Sequence, residues 1–387
     1  MQERVIISGM GSISSMGSNA AEVWKNYSAQ TTRITSCCFN DSNTSVGKLH
    51  LEEDKLIKEV RKENLHFRRL DKTVLLSIIA ARQAVKQANW KAEDNMSVNL
   101  GSSRGATQLF EKYHKNFLEN DNKRLSPVVS PTTTLGNISS WVAYDLGTKG
   151  ASFSHSITCS TALHSVLNGI AWLQAGMADK FITGGAEAPL SDFTIAQMRA
   201  LRIYSEEKGQ FPSLPLEKNK TTNSLVLGEA AAVFCLEKDE GQQKLATIQG
   251  IGFATELIEH NVSLSTEAKC LQDSMEKALK NANLTEVDSI IMHAPGTLKG
   301  DKSEYTAINT LFGEKLPHLI STKYTTGHTF GASGALSMEL AILMLKHNKL
   351  INFPYESLPA GKPKEVKNIM INATGFGGNA VSIILSK

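Results

Sequence analysis

The sequence lacks any apolar run long enough to cross a membrane. Of its 387 residues, 41% are hydrophobic and 20% are charged. No run approaches the roughly 18 apolar residues that a membrane-spanning helix needs. The first residues also lack the apolar core of a secretory signal peptide. We therefore expect a globular cytoplasmic protein with enough residues for a large core and with no membrane partner.

Cysteine is scarce, and neither sign of charge dominates. There are five cysteines, an odd number, and only Cys37 and Cys38 are close in sequence. This pattern gives no disulfide framework and no ligand spacing for zinc, so we expect a reducing compartment and no bound metal. The net charge of +3 is too small to indicate nucleic acid binding, although local basic clusters still suit an acidic protein partner.

What the sequence does contain is one order of elements that occurs twice. In each half a β-rich run ending in Gly-x-Gly precedes a helical pattern, a short strand, a small-residue helix, a glycine-terminated apolar run and a last strand. The first half has these elements at 5–11, 73–89, 97–100, 160–175, 181–185 and 231–237, and the second at 247–252, 268–283, 289–292, 331–346, 369–378 and 380–385.

Strands that alternate with helices predict mainly parallel sheets covered by helices, with right-handed crossovers. We predict two α/β halves, 1–244 and 245–387, with the boundary in the polar stretch 238–244. Because chemistry in open α/β sheets lies at the carboxyl ends of the strands, we expect the halves to share one site. The polar insertions 31–69 and 112–131 are expected to form a cap or an interface.

Cys159 stands where a strand-like run ends and a helix of small residues begins. The start of a helix favours thiolate over thiol, so this position predicts a nucleophile with a pKa below the roughly 8.5 of free cysteine. A lone cysteine is as often a small buried hydrophobe, and two histidines decide between these alternatives. His293 follows an apolar strand and His328 lies in a glycine- and threonine-rich turn. Since both occupy equivalent loops of a duplicated fold, we expect them to face Cys159, and we take the other eight histidines as structural.

Four motifs together resemble the elongating β-ketoacyl-acyl-carrier-protein synthases of the thiolase superfamily. They are Cys159 before a helix, His-x-x-Gly-Thr-x-x-Gly-Asp at 293–301, Ser-Thr-Lys-x-x-Thr-Gly-His at 321–328, and Gly-Phe-Gly-Gly at 375–378. The resemblance implies a thiolase-like fold with duplicated halves in a layered αβαβα arrangement. Initiating synthases have asparagine in place of the second histidine. Thiolases have a second cysteine near the C-terminus, whereas this sequence has none after Cys270.

The resemblance implies a decarboxylative condensation without a bound cofactor. Cys159 would accept an acyl group from the phosphopantetheine arm of acyl carrier protein. The backbone N–H groups of Cys159 and Phe376 would hold the oxyanion. His293 and His328, as neutral imidazoles, would then polarise the thioester carbonyl of malonyl-carrier protein while CO₂ leaves.

The resemblance assigns further residues to the site. Lys323 and Glu304 would form a charged pair that orients the histidine loops, the alternative being a solvated surface pair. Phe376 would also act as a gate for the acyl chain. The remaining assignments are substrate binding by Phe376, Thr297 and Gln108, and docking of the acidic carrier protein by Arg68, Arg69 and Arg202. A solvated charged face is the alternative for the arginines at 68 and 69, and Tyr204 stands where the family carries a further docking arginine.

This sequence also departs from the family pattern. Ala294 and Pro295 replace the usual Gly-Thr, Asn379 and Ala380 replace Thr-Asn, and 214–217 differs from the usual Arg-Pro-Phe-Asp. The stretch 101–110, near the expected acyl pocket, is bulkier and more polar than the family version. These differences lead us to expect a specialised acyl chain of polyene or polyketide type.

The resemblance also implies a dimer that pairs the strand at 151–158 across a two-fold axis, either with a second copy or with a related chain. Two other functions remain open at this point. One is a non-catalytic partner subunit, like a chain-length factor, although such subunits usually lack the nucleophile that this sequence retains. The other is acyl transfer or thioester hydrolysis without condensation, which would not depend on malonyl-carrier protein.

Overall fold

The computed structural model describes residues 4–121, 124–135, 137–257, 264–355, 363 and 365–387. The strands are β1 (Val5–Ser14), β2 (Thr35–Phe39), β3 (Ser42–Gly47), β4 (Ser97–Gly101), β5 (Ser152–Phe153), β6 (Lys180–Glu187), β7 (Leu227–Gly228), β8 (Ala230–Lys238), β9 (Ala246–Thr255), β10 (Ser289–Ile291), β11 (His318–Ile320), β12 (Asn368–Gly375) and β13 (Asn379–Ser386).

The α-helices are α1 (Ala20–Ser28), α2 (Leu51–Glu63), α3 (Lys72–Ala88), α4 (Thr107–Glu119), α5 (Val129–Thr133), α6 (Asn137–Leu146), α7 (Thr161–Gln174), α8 (Asp192–Ala200), α9 (Lys269–Ala282), α10 (Leu298–Phe312), α11 (Lys323–Thr326) and α12 (Ser333–His347). Three 3-10 helices lie at Leu65–Arg69, Ala92–Asp94 and Phe330–Ala332. No helix within the described ranges is long and apolar enough to cross a membrane.

The main sheet has ten strands and repeats one topology. The first half runs in the order β1-β8-β6-β4-β5 and the second in the equivalent order β9-β13-β12-β10-β11. The halves join through antiparallel pairing of β1 with β9, from Val5 opposite Ile248 to Ile7 opposite Ala246. In each half the second strand in this order, β8 or β13, is the one that runs opposite to the other four strands. The predicted duplicated α/β fold is therefore confirmed.

Helix packing produces the layers. Helices α7 and α12 lie between the halves, where both contact strands of either half, whereas α3 covers β1 and β8 from one outer side and α9 covers β9 and β13 from the other. Every residue of α12 from Ser333 to Leu345 is buried. A helix that is apolar on nearly all sides must be enclosed in this way, because no face of it is suited to water.

The equivalent helices α3 and α9 also end alike. Their C-caps, Asn89 and Asn283, both adopt a left-handed conformation with φ of 56° and 55°. Asparagine tolerates this conformation better than most residues, so it ends a helix without glycine. The helices predicted at 73–89 and 268–283 are confirmed to within one residue at each end.

The two polar insertions form surface elements. Residues 31–69 contain the β2–β3 hairpin, α2 and the 3-10 helix Leu65–Arg69, and β3 pairs with β7 in a separate three-stranded sheet. The stretch 112–131 spans the end of α4 and the start of α5, while residues 122 and 123 within it lie outside the described chain. Between β8 and β9, residues 239–245 make the connection that contains most of the proposed boundary stretch.

Candidate active site

Cys159 lies in a tight turn between β5 and α7 and is 6% exposed. Thr158, the residue before it, has φ of 47°, a left-handed conformation that costs energy for a β-branched residue. Gly375, at the end of β12 in the second half, packs directly against this turn. A Cβ atom at position 375 would lie 1.9 Å from Thr158 Oγ1, so only glycine allows the close approach. The nucleophile turn of the first half thus meets a strand end of the second.

Both predicted histidines are beside Cys159. The Nε2 atom of His328 lies 3.1 Å from the Cys159 Sγ atom. The rings of His293 and His328 are 5.3 Å apart between centroids and nearly perpendicular, at 86°. One nitrogen of each ring and the sulfur all lie within 4.8 Å of one another. The structure therefore brings together three groups that lie up to 169 residues apart in the chain.

Glu304 fixes the loop that carries His293. Its two carboxylate oxygens accept the backbone N–H groups of His293 at 2.9 Å and Ala294 at 2.7 Å. The side chain of Asn372, on β12, donates a third hydrogen bond to Glu304 at 3.2 Å. Because Glu304 lies on α10 and is buried, it ties the end of β10 to a neighbouring helix and strand. The alternative of a solvated surface residue is wrong for Glu304.

Lys323 is also buried, at 1% exposure, which rules out a solvated surface role. In the described part of the chain no ion pair joins Lys323 to Glu304, so the expected direct pair is replaced by a longer-range interaction. Burial lowers the pKa of Lys323 to about 8, and the field of Glu304 opposes this change. Burial raises the pKa of the Glu304 carboxyl, while the N–H groups that it accepts oppose that shift.

The electrostatic setting keeps both imidazoles neutral. Burial, followed by the positive field of Lys323, lowers the pKa of His293 and of His328 well below the ordinary value. A neutral imidazole can donate one N–H to a developing oxyanion without first losing a proton. This matches the role that the resemblance implies for the two rings.

The prediction of a lowered thiol pKa at Cys159 is not met. Burial raises the pKa of this thiol to about 12; Glu187 adds to the shift, while Lys323 and Arg104 oppose it. The physical reason is loss of water. Cys159 lies two residues before the first residue of α7, in a site where the cost of a buried charge exceeds the benefit of the helix N-terminus. The resting site therefore holds a neutral thiol.

Two cavities meet at Cys159. The first has a volume of about 480 Å³ and the second about 1060 Å³. Both are lined by the same four residues at their junction: Cys159, Met198, Phe330 and Phe376. The Phe376 side chain, 41% exposed, thus stands at the junction, as a gate would.

Thr297 and Arg202, which the resemblance assigns to substrate binding and to carrier docking, lie near the histidines. Both line the first cavity together with the two histidines. The hydroxyl oxygen of Thr297 accepts the N–H of Gly300 at 3.2 Å and caps α10. Arg202 is exposed and also borders a neighbouring polar groove, so its guanidinium stands at the mouth.

Other predicted residues lie elsewhere. Gln108 lines none of the described cavities; its amide instead donates to the carbonyl of Leu190 at 3.2 Å and holds α4 against the loop after β6. Its expected contact with substrate is therefore not supported. Arg68 and Arg69 are exposed on the 3-10 helix Leu65–Arg69 and also line none of these cavities. Tyr204 is buried and donates its hydroxyl to the carbonyl of Ser45, so it takes no part in surface docking.

Sequence reasoning missed Glu187, at the end of β6. This buried carboxylate accepts four hydrogen bonds, from Ser102 Oγ, Ser103 N, Arg104 N and Gly331 N, at 2.7 to 3.0 Å. Burial raises the pKa of Glu187 to about 7 against the effect of these donors. It joins the loop after β4 to the segment that follows His328. The sequence signal that could have identified Glu187 was an acidic residue at the end of a buried, glycine-rich strand.

A thiol and two imidazoles are also ligand types that zinc prefers. At this site the buried ammonium of Lys323 produces a positive field, which already lowers the pKa of both histidines. The same field disfavours a metal cation. The arrangement suits a developing oxyanion better, since positive potential and neutral N–H donors both stabilise negative charge.

A buried thiol beside two neutral imidazoles, at the meeting point of two duplicated α/β halves, defines a thiolase-like acyltransferase. The chain belongs to the beta-ketoacyl synthase family, whose N-terminal domain matches residues 2–241 and whose C-terminal domain matches residues 245–354. It is therefore a ketosynthase, and the resemblance drawn from the sequence is confirmed.

Known proteins similar to this chain agree. The chain is 29% identical to 3-oxoacyl-[acyl-carrier-protein] synthase 2 of Staphylococcus aureus over 410 residues, covering 100% of this chain and 98% of that protein. The structure of the ishigamide ketosynthase/chain length factor has a TM-score of 0.88 at 21% identity and full coverage of both chains. A type II polyketide ketosynthase in complex with its acyl carrier protein has a TM-score of 0.86 at 19% identity, again with full coverage of both chains. These two structural likenesses support the fold.

Proposed function

We propose that the protein condenses an acyl chain held on Cys159 with malonyl-acyl carrier protein, giving a β-ketoacyl-acyl carrier protein. The observation that carries the proposal is the convergence of one thiol and two neutral imidazoles within 4.8 Å, at the junction of two cavities. The relative from Staphylococcus aureus is named for the same product class.

In the first half-reaction, the sulfur of Cys159 attacks the thioester carbonyl of an acylated phosphopantetheine arm. The bond from carbonyl carbon to the arm's sulfur breaks, and the departing thiol takes up the proton that Cys159 gives up. The oxyanion is held by the backbone N–H groups of Cys159 and Phe376. Such donors are worth roughly 2.7–4 kcal/mol each where they have been removed from other enzymes.

In the second half-reaction, malonyl-carrier protein replaces the first carrier. Its carboxylate leaves as CO₂, and the electron pair of the broken C–C bond forms an enolate whose oxygen accepts N–H groups from His293 and His328. The enolate carbon then attacks the acyl carbonyl on Cys159, and the bond from that carbonyl carbon to the Cys159 sulfur breaks. The product departs on the carrier, and the Cys159 sulfur regains a proton from solvent.

The first cavity suits the phosphopantetheine arm. It is the smaller of the two cavities at Cys159 and is lined by the exposed Arg202 and by Thr297. An arginine at the mouth attracts an acidic carrier protein and steers the encounter. We assign Arg202 to this docking surface, together with Arg68 and Arg69 on the more distant 3-10 helix. All five cysteines are free thiols, which fits a cytoplasmic location for this chemistry.

The second cavity suits the growing acyl chain. Its walls combine exposed apolar side chains of α4, such as Phe110 and Leu118, with the polar residues Arg104 and His114. This mixed lining supports a specialised chain of polyene or polyketide type over a plain saturated chain. The exposed apolar residues and the edge strand β5 also suit an interface with a second copy or a related subunit.

The test separates the two half-reactions on the purified protein. Cys159→Ala is expected to abolish the mass increase that follows exposure to an acyl carrier thioester. His293→Ala is expected to keep that mass increase. The same variant should release CO₂ from malonyl-carrier protein at a rate lower by a factor of about 100 or more. Cys38→Ala, which removes an exposed thiol on the β2–β3 hairpin, serves as the matched control.

The outcomes also separate the alternatives. A wild-type protein that stays unacylated both alone and in a complex whose related subunit becomes acylated would support the non-catalytic partner function. Product formed without malonyl-carrier protein would indicate simple transfer or hydrolysis. Condensation by His293→Ala near the wild-type rate would contradict the role assigned to that ring. Equal turnover of saturated and polyunsaturated acyl carriers would contradict the specialised chain.

A further inference from the structure

We propose that Ser333 is a positioning residue that sets the tautomer of His328 and so directs the Nε2 hydrogen of this ring into the active site. The inference rests on the proposed function, because it concerns the imidazole that faces Cys159. Ser333 is the first residue of α12, is 2% exposed, and was not singled out by the sequence.

The geometry is a short hydrogen-bonded network on the far side of the ring. The Oγ atom of Ser333 lies 2.8 Å from Nδ1 of His328, while Nε2 of the same ring lies 3.1 Å from Cys159 Sγ. The backbone N–H of Thr329 donates to Ser333 Oγ at 3.1 Å, and the Thr329 hydroxyl lies 3.2 Å from the same atom. Ser333 therefore contacts the ring nitrogen that cannot face substrate.

The supply of hydrogens favours one arrangement of this network. A serine hydroxyl has one hydrogen to donate and two lone pairs to accept with. If Ser333 donates to Nδ1 of His328, its lone pairs can accept the N–H and the O–H of Thr329. Both hydroxyl hydrogens then have an acceptor within the network, and the ring hydrogen resides on Nε2.

The opposite arrangement is less favourable. If Nδ1 of His328 donates to Ser333, the Ser333 lone pairs are filled by that N–H and by the N–H of Thr329. The Ser333 hydroxyl must then donate to Thr329, whose own hydroxyl hydrogen is left without an acceptor inside this network. A buried hydroxyl without a partner costs more than an unpaired S–H, which is only a weak donor.

The tautomer decides what His328 can do. A neutral imidazole carries one hydrogen, and the hydrogen bond made by one nitrogen selects which nitrogen holds it. With the hydrogen on Nε2, the ring can donate to the enolate oxygen during loss of CO₂. With the hydrogen on Nδ1, Nε2 would present a lone pair to that oxygen and repel it. Ser333 thus affects the second half-reaction more than the first.

The experiment uses the full-length protein and two variants of one helix. Ser333→Ala removes the hydroxyl from the network, and Ser337→Ala removes a buried hydroxyl one turn further along α12, outside this network. We expect Ser333→Ala to slow CO₂ release from malonyl-carrier protein about tenfold, as follows from loss of one buried hydrogen bond. Acylation of Cys159 should stay within about twofold of wild type, and Ser337→Ala should leave both rates within about twofold.

A spectroscopic measurement reads the tautomer directly. Protein labelled with ¹⁵N-histidine gives a two-bond proton–nitrogen correlation in which protonated and unprotonated ring nitrogens differ strongly in chemical shift. The His328 signal is identified by its loss in His328→Gln. We expect an unprotonated Nδ1 in wild type and in Ser337→Ala, and a population with protonated Nδ1 in Ser333→Ala.

These readouts separate the two proposals. A wild-type spectrum with protonated Nδ1, or a Ser333→Ala variant that retains the wild-type rate of CO₂ release, would overturn the role of Ser333. A wild-type protein that neither becomes acylated nor releases CO₂ would instead contradict the proposed function, and the spectrum would still decide the tautomer. Equal slowing of both half-reactions by Ser333→Ala would show a merely structural role and would also overturn the inference.

Discussion

Glu187 offers a sharp test of how the site is held together, because its buried carboxylate accepts four hydrogen bonds. One carboxylate oxygen accepts from Ser102 Oγ at 2.7 Å and Arg104 N at 3.0 Å. The other accepts from Ser103 N at 2.7 Å and Gly331 N at 3.0 Å. Replacing Glu187 with glutamine preserves shape but turns one of these acceptors into an NH₂ group.

The expected loss in the free energy of unfolding follows from the two orientations that the glutamine amide can adopt. If its NH₂ faces Ser102 and Arg104, the Ser102 hydroxyl can rotate to accept, and one N–H is left without a partner. If it faces Ser103 and Gly331, two N–H groups are left. One orphaned buried donor costs about 1–3 kcal/mol, and the surviving bonds to a neutral oxygen are weaker by about 1 kcal/mol each. Removing a buried charge offsets part of this, so we expect a net loss of roughly 2–4 kcal/mol in the free energy of unfolding.

Glu339 is the matched control. It is equally buried, and burial raises its pKa to about 7, as it does for Glu187. Glu339 accepts a hydrogen bond from Ser12 Oγ, and its second oxygen has no partner among the described residues. A glutamine there meets no row of N–H donors, so Glu339→Gln should change the free energy of unfolding by less than about 1 kcal/mol.

Urea unfolding of both variants beside wild type, under identical conditions, measures the difference through the shift of the midpoint. Glu187→Gln should also slow condensation, because Gly331, which it releases, is three residues from His328. Equal midpoint shifts for the two variants would refute the reasoning, since both remove one buried carboxylate and differ only in the donors around it.

Two further predictions concern charge. Burial lowers the pKa of Lys323 to about 8. Between about pH 8 and 10 the unfolded chain therefore binds a proton at this group that the folded chain does not. The free energy of unfolding should rise with pH in this range, by up to about 1.4 kcal/mol per pH unit from Lys323. Lys323→Met should remove this rise in urea unfolding measured at pH 8 and 10, and parallel profiles for variant and wild type would contradict it. Arg202→Glu, at the mouth of the first cavity, should raise KM for acyl carrier protein severalfold at low salt with little change in kcat; an unchanged KM would remove Arg202 from the docking surface.

Much of the fold was accessible from the sequence because local patterns and tertiary structure agree. The helices at 73–89 and 268–283 have regular apolar periodicity and end at asparagines that cap them in the left-handed conformation. The positions of Cys159, His293 and His328 followed from a general rule, because loops at equivalent strand ends of a duplicated fold converge.

The features that could not be predicted depend on burial and on contacts between distant segments. A helix start favours a thiolate at Cys159, but the loss of water, which no local pattern encodes, reverses the direction of the pKa shift. Among the described residues no ion pair joins Lys323 to Glu304, and the Gln108 amide donates to a backbone carbonyl and does not line the second cavity. These outcomes depend on how β6, α10 and α12 pack. The sequence of a single strand or turn does not determine that packing.

The meeting of two cavities at Cys159 has a consequence for successive rounds of extension. Under the proposed assignment of the cavities, a chain anchored on the sulfur rests in the larger one while the arm of one carrier leaves the smaller one and the next arrives there. The exchange of carrier proteins and the growing chain thereby occupy different cavities. On this proposal the walls of the larger cavity limit the chain length, so substitutions of the α4 side chains that line it, such as Phe110 and Leu118, should change product size without altering the catalytic residues.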